Sequence, residues 1–240
     1  MPRLDVLLTN SGLAESRARA QALILAGKVR VAGETVRSPA RTISDGAQID
    51  VEAEPGYASR GALKLAPALD RFAVDPQGRV CADIGASTGG FTDVLLRRGA
   101  KKVFALDVGR GLLHWRLRQD PRVVVIERTN ARDLETFPEP VSLAVVDVSF
   151  ISLEKVLPGV RRAAPRAEVV ALFKPQFEVG RAQVGKGGIV RDPAAVEAAL
   201  ARFADWCSAN AYAIAGEAPS EVTGAEGNRE IFVHLQPERA

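Results

Sequence analysis

The chain has 240 residues, enough for one large domain or for a medium domain with a small one beside it. Hydrophobic residues make up 47% and charged residues 25%, the balance of a soluble globular protein, and no apolar run approaches the roughly eighteen residues of a membrane-spanning helix. The net charge of +3 suits a nucleic-acid partner but is too small to establish one, so the distribution of charge matters more than its sum.

In chain order, Met1-Pro2-Arg3-Leu4-Asp5 lacks the basic stretch and apolar core of a secretory signal, so a cytoplasmic protein is expected. From Asn10 to Ile43, six basic residues (Arg17, Arg19, Lys28, Arg30, Arg37, Arg41) stand against two acidic ones (Glu15, Glu34), a steeper excess than in the whole chain. Ser16 is placed to cap a helix from Arg17 to Ala26, which Gly27 ends in the left-handed conformation. Arg17 and Lys28 nearly repeat the helical angle and are expected on one face. Val29-Arg30-Val31 alternates as a half-exposed strand does, Gly33 turns the chain, and Thr35-Val36 begins a partner strand. A short helix followed by small strands makes one basic ledge. The competing reading is a merely solvated face on an accessory domain.

Acidic residues (Asp45, Asp50, Glu52, Glu54) then gather before Pro55-Gly56, a turn dipeptide taken as the domain boundary. The expected units are 1–53, a linker at 54–58, and 59–240. In the second unit Ser59 is expected to cap a helix through about Phe72, and Arg79 to Asp83 forms the first parallel strand. Apolar runs recur at Val103 to Leu106, Val123 to Ile126, Val141 to Val146 and Val169 to Phe173, between helical patterns such as Pro193 to Ala209. This alternation predicts an α/β fold, a mostly parallel sheet covered on both faces. Tyr212 to Gly216 and Glu230 to Leu235, with no helix between them, predict an antiparallel pair at the sheet edge.

The most informative segment is Asp83-Ile84-Gly85-Ala86-Ser87-Thr88-Gly89-Gly90-Phe91. It ends an apolar run, forms a glycine-rich turn and opens a helix at Thr92 to Arg97. Glycines there let the backbone approach a ligand closely, and the new helix offers free N–H donors. About twenty residues on, a second run ends in Asp107, placed to accept hydrogen bonds from a ribose diol. The dinucleotide pattern G-x-G-x-x-G is not met, because Ser87 stands at its second glycine. That tilts the reading toward S-adenosylmethionine, against the plain alternative of a tight βα loop.

Working groups in open α/β sheets sit at the carboxyl ends of strands. Asp147 and Lys174 each end an apolar run, and Pro175 biases Lys174 toward extended backbone. A desolvated lysine near a second cation, Lys64, becomes a candidate base, with Asp147 and Glu230 balancing the charge. The blander alternative is a set of structural ion pairs. The stretch from Lys174 to Asp192 shows no helix or strand pattern. It is read as a gating loop whose Arg181, Lys186 and Arg191 meet phosphates, against a plain mobile loop. Cys81, in a strand, and Cys207, in a helix, are expected to be buried and inert. His114 and His234, with no cysteine near either, give no metal site.

These segments together resemble the TlyA (hemolysin A) family of two-domain ribosomal RNA methyltransferases, over nearly the whole chain. Arg3-Leu4-Asp5, Ser16-Arg17, Ala26-Gly27-Lys28-Val29 and Val31-Ala32-Gly33 resemble the RNA-binding domain of ribosomal protein S-four. Ser59-Arg60-Gly61-Ala62-Leu63-Lys64-Leu65, Asp83 to Phe91, Asp147-Val148-Ser149-Phe150-Ile151-Ser152-Leu153, Lys174-Pro175-Gln176-Phe177-Glu178 and Gly227-Asn228-Arg229-Glu230 resemble an FtsJ-like methyltransferase domain. The fold implied is a small α+β RNA-binding domain before a Rossmann-like seven-stranded sheet with a terminal antiparallel hairpin.

The resemblance implies 2′-O-methylation of ribose in ribosomal RNA, on cytidine, with S-adenosylmethionine as cofactor. A catalytic tetrad carries over onto Lys64, Asp147, Lys174 and Glu230, with Lys174 taking or steering the proton of the 2′-hydroxyl. Asp83, Gly85, Ala86, Ser87, Thr88, Gly89, Gly90, Phe91 and Asp107 are the implied cofactor residues. Thr129 to Asp133 follows the strand after which related enzymes contact adenine; Asn130 and Arg132 are its candidates, with the choice open. RNA contacts are expected from Arg3, Arg17, Arg19, Lys28, Arg30, Arg60, Arg181 and Lys186. The partner implied is ribosomal RNA or a ribosomal subunit, with neither membrane nor metal and with a monomer as the default. Glu221 follows Ser220 where the family places proline, a departure that touches the loop before the last strands. The competing functions are an inactive RNA-binding assembly factor and a membrane-acting hemolysin. Which nucleotide, which subunit, and free RNA or assembled particle stay open.

Overall fold

The computed structural model describes residues 2–14, 16–44, 46–51, 56–224 and 227–238. Glu15, Asp45, Glu52, Glu54 and Pro55, which entered the charge and boundary readings, lie outside the described residues. The chain divides into two compact units, Met1–Gly56 with His114–Asp120, and Tyr57–Leu113 with Pro121–Ala240. No helix among the described residues is long and apolar enough to cross a membrane.

In the first unit, helices α1 (Leu4–Asn10) and α2 (Arg17–Leu25) accompany a sheet of β1 (Val29–Val31), β2 (Glu34–Thr35) and β3 (Ile49–Val51) in the antiparallel order β2-β1-β3. Leu4, Leu8, Leu23, Ile24, Val29 and Ile43 form its core. The Ser16 hydroxyl accepts the Arg19 N–H at 3.2 Å, as a cap should, and Gly27 has a φ of +74°. The helix ends at Leu25, one residue before the expected Ala26, so Lys28 lies beyond it. The shared helical face expected for Arg17 and Lys28 therefore does not exist: the left-handed turn at Gly27 breaks the angular repeat.

The second unit comprises α3 (Ala62–Arg71), β4 (Val80–Ile84), α4 (Gly90–Arg97), β5 (Lys102–Leu106), β6 (Val123–Ile126), β7 (Leu143–Val146), α6 (Leu153–Ala163), β8 (Glu168–Phe173), α7 (Pro175–Glu178), α8 (Pro193–Ala209), β9 (Tyr212–Pro219) and β10 (Ile231–Pro237); the one-turn α5 (Trp115–Arg118) belongs to the first. The sheet order is β6-β5-β4-β7-β8-β10-β9, parallel except for β10, which runs against both β8 and β9. This is the mostly parallel seven-stranded sheet with an antiparallel hairpin that the alternation predicts. Strands β7 and β8 are buried almost throughout, as strands covered on both faces must be. Strand order reverses between β4 and β7, which opens a crevice at their carboxyl ends.

Two helix starts differ from expectation. The cap of α3 is Gly61 rather than Ser59, whose hydroxyl instead accepts the Gly61 N–H at 3.3 Å. Helix α4 begins at Gly90, before Thr92, because the left-handed Gly89 (φ +92°) ends the turn there. Cys81 and Cys207 are buried, and burial pushes each thiol up to about 12, which makes both inert at neutral pH.

Candidate active site

The glycine-rich turn sits in the crevice and is built for contact. Gly85 has a φ of +85°, and a Cβ on it would lie 2.3 Å from the carbonyl oxygen of Asp147, so no other residue fits. The amides of Gly85 and Ala86 donate to Leu106 O, that of Gly89 to Ala86 O, and that of Ser87 to the Asp107 carboxylate at 2.8 Å. The amides of Thr88, Gly90 and Phe91 have no protein partner among the described residues. Asp107 also accepts the Gly109 N–H at 2.7 Å, which fixes its carboxylate between the turn and the end of β5.

Asp83 lies behind this turn, wholly buried, and accepts the Thr92 hydroxyl at 2.6 Å. Burial lifts its carboxyl to about 7, with the Thr92 bond opposing and the charges of Asp147 and Asp107 adding to the rise. It lines neither of the two cavities that flank the turn. Each of these holds about 470 Å³, and they share Gly85, Ser87 and Asp147 as walls. The first is apolar, with Asp107, Asn130, Leu112 and Phe150 around it; the second is lined by Ser59, Arg60, Lys64, Thr88, Phe91 and Val222. The side chain of Asn130 caps a single 3-10 turn through the Arg132 N–H at 3.1 Å. Arg132 is exposed and lines neither cavity.

Four charged residues form two ion pairs at this end of the sheet. The Lys174 ammonium lies 2.5 Å from Asp147 Oδ1 and donates to Ser149 Oγ at 3.0 Å. The Lys64 ammonium lies 2.6 Å from Glu230 Oε2. Sheet register explains the assembly. Ile231 pairs with Phe173, which brings Glu230, just before β10, to the same end as Lys174, just after β8. Asp147 follows β7 directly, and Lys64 comes from α3. Lys174 is extended (φ −111°, ψ 104°), as the following proline demands.

The segment from Lys174 to Asp192 is less featureless than expected. Pro175 starts the one-turn helix α7, its ring preset for that position, and two 3-10 turns follow at Arg181–Gln183 and Lys186–Gly188. Arg181, Lys186 and Arg191 are exposed. Two residues escaped sequence reasoning. Asn228, 2% exposed, donates to Gly188 O at 2.8 Å and accepts the Val190 N–H at 2.9 Å, so it latches the loop to the segment that carries Glu230. Phe150 is 88% exposed at a φ of +64°, beside the first cavity and with its ring 5.2 Å from that of Phe177. Only the motifs they stand in marked them. Of the basic residues expected on RNA, Arg60 lines the second cavity, whereas Arg3 and Arg17 in the first unit pair with Asp5.

Residues 57–237 match the FtsJ-like methyltransferase model, and residues 2–49 match the S4 domain. The chain belongs to the FtsJ-like methyltransferase family. Within it the chain matches TlyA over nearly its full length. The chain is 48% identical to the 16S/23S rRNA (cytidine-2′-O)-methyltransferase TlyA of Mycobacterium tuberculosis, over 98% of this chain and 89% of that protein. It is 44% identical to Hemolysin A of Brachyspira hyodysenteriae, over 97% of this chain and 99% of that one. A solved structure from Streptococcus thermophilus superposes with a TM-score of 0.75 at 41% identity, over 100% of this chain and 89% of that one. This FtsJ-like chain is thus an enzyme of the methyltransferase class that carries an S4 domain.

Proposed function

We propose that the protein transfers the methyl group of S-adenosylmethionine to the 2′-oxygen of a cytidine ribose in ribosomal RNA. The observation that carries the reading is the paired arrangement of Lys174 with Asp147 and Lys64 with Glu230 beside a glycine-rich turn at the strand ends. The activity for which the Mycobacterium tuberculosis relative is named supports the substrate.

The residues fit the cofactor. Three amides without protein partners among the described residues stand at the turn where a Cβ on Gly85 would strike backbone. The apolar first cavity has Asp107 and Asn130 on its wall, polar groups suited to a ribose and an adenine. Asp83 braces the turn from behind. When bound, S-adenosylmethionine supplies a methyl group activated by positively charged sulfur.

The rest falls to the protein. A ribose hydroxyl is a weak nucleophile at neutral pH, so positioning and local charge must supply most of the rate. In this reading Lys174 Nζ steers the hydroxyl proton as the ammonium, or takes it once Nζ has given up its own extra proton, Asp147 holds that nitrogen in place, and Lys64 with Glu230 sets the surrounding field. Arg60, Arg181 and Lys186 hold phosphates near the site, and residues 1–53 dock the RNA through Arg3, Arg17, Arg19, Lys28 and Arg30. The linker 54–58 and the domain 59–240 complete the assignment.

The test is transfer of radiolabelled methyl to unmodified small and large ribosomal subunits, with Lys174→Ala in parallel and ribose methylation mapped afterwards. Label at a 2′-oxygen only with the wild-type protein is the expected result. An active Lys174→Ala protein removes Lys174 from the mechanism, and no transfer despite cofactor binding overturns the substrate.

A further inference from the structure

Asp5 is a buried charge in a small unit, where a core residue is normally apolar. It lies in the first turn of α1, its side chain is wholly buried, and it collects three partners. Arg3 approaches it side-on with two nitrogens, Nε at 3.0 Å and Nη2 at 3.1 Å. Arg17, from α2, donates through Nε at 3.0 Å, and Gln21, one turn further along the same helix, through Nε2 at 2.8 Å. The two arginines are not buried with it: their side chains are 44% and 55% exposed. A buried carboxylate with this many donors stays ionised, and those bonds, that from Arg3 first, hold its pKa far below the usual carboxylate range.

Stability alone does not account for the arrangement, since well-packed apolar residues do as well or better in place of buried ion pairs. What the carboxylate adds is order. An arginine side chain has much rotamer freedom, which must be lost when it grips an anion, and fixing it beforehand removes that cost from binding. Arg17 is held by its Nε alone, which leaves both terminal nitrogens of the guanidinium without a partner among the described residues. Arg3 keeps Nη1 in the same condition. One carboxylate against two guanidinium groups leaves a net positive charge at the surface.

We infer that Asp5 is a positioning residue for RNA: it holds Arg3 and Arg17 as a preset pair of phosphate clamps. The inference rests on the reading that the first unit docks RNA. It makes an unusual demand, because removal of a negative charge must weaken the binding of a polyanion.

The experiment measures affinity of the full chain for transcribed small- and large-subunit ribosomal RNA across a salt series, for wild type, Asp5→Asn, Arg3→Ala/Arg17→Ala and the triple combination. Asp5→Asn is expected to lose about 3- to 10-fold in affinity near 0.15 M salt and to give a salt slope shallower by about one. In the Arg3→Ala/Arg17→Ala background the same change is expected to do almost nothing, a coupling to the arginines that an aspartate acting on binding independently of them cannot produce. Gln21→Met, which removes one orienting donor and no charge, is expected to lose less in the same direction; it keeps the question answerable if Asp5→Asn fails to fold. Unchanged or tighter binding by folded Asp5→Asn, or by Gln21→Met if it alone folds, overturns the inference while an arginine-dependent wild-type affinity leaves the docking reading standing. If the arginine pair itself makes no difference to affinity, the inference falls, and the docking reading keeps only Arg19, Lys28 and Arg30.

Discussion

Lys64 and Glu230 are separated by 166 positions, yet the ammonium of one lies 2.6 Å from a carboxylate oxygen of the other. Glu230 is 3% exposed, so the pair is held away from water. Breaking such a pair by removing one partner costs about 3–5 kcal/mol, because the other charge is left buried alone. Lys64→Ala is therefore expected to lower stability in chemical denaturation and to lose methyl transfer. Lys64→Met/Glu230→Leu is expected to regain much of the stability and none of the activity. A double variant with wild-type turnover would separate this pair from the chemistry.

Gly85→Ala tests the turn. Its Cβ meets backbone, which cannot swing aside as a side chain end can, and its φ of +85° strains any L residue. The expected result is a stability loss of about 1–3 kcal/mol together with loss of measurable S-adenosylmethionine binding in calorimetry. Retained cofactor affinity would place the ligand elsewhere.

Phe150 predicts the opposite pattern. A ring that is 88% exposed contributes little to the core, whereas an exposed aromatic beside the cavity proposed for the cofactor is a surface on which a base can stack. Stacking of this kind is worth about 1–3 kcal/mol. Phe150→Ala is expected to keep the wild-type unfolding midpoint and to lose about 5- to 100-fold in kcat/KM for RNA, with Phe150→Trp largely active. A midpoint that falls with the activity would make the ring structural.

Asp83 predicts a pH dependence. Its carboxyl titrates at about 7 in the folded chain against about 3.9 when unfolded, so the folded state binds the extra proton. Stability from this group is fully present below pH 4 and declines as pH rises to about 7. Asp83→Asn keeps an acceptor for the Thr92 hydroxyl and cannot ionise. Its stability relative to wild type is expected to grow from pH 4 to pH 7 and then level off. Glu168, held below its usual range by His234 and Arg79, slopes the other way in both proteins and cancels in the difference. A flat difference curve would mean that Asp83 is ionised throughout.

The strands, the glycine turn and the types of the four paired residues were legible in the sequence, because each depends on local pattern: apolar runs for β4 to β8, glycine where φ is positive, charges at strand ends. The motif resemblance drew the second unit's chemistry from the same local signals. What the pattern did not contain is pairing across the chain. Whether Lys64 meets Glu230 or Lys174 depends on the register of Ile231 against Phe173, and register is set by the whole sheet. The grouping of His114–Asp120 with the first unit, the latch from Asn228 to Gly188, and the hold of buried Asp5 on Arg17 are likewise contacts between separate segments. By itself the sequence determined which chemistry was available and which segments were strand, turn and helix. Only the tertiary structure decided which charges neutralise each other, since Coulomb energy and desolvation depend on distance and burial, and neither is written in the order of residues.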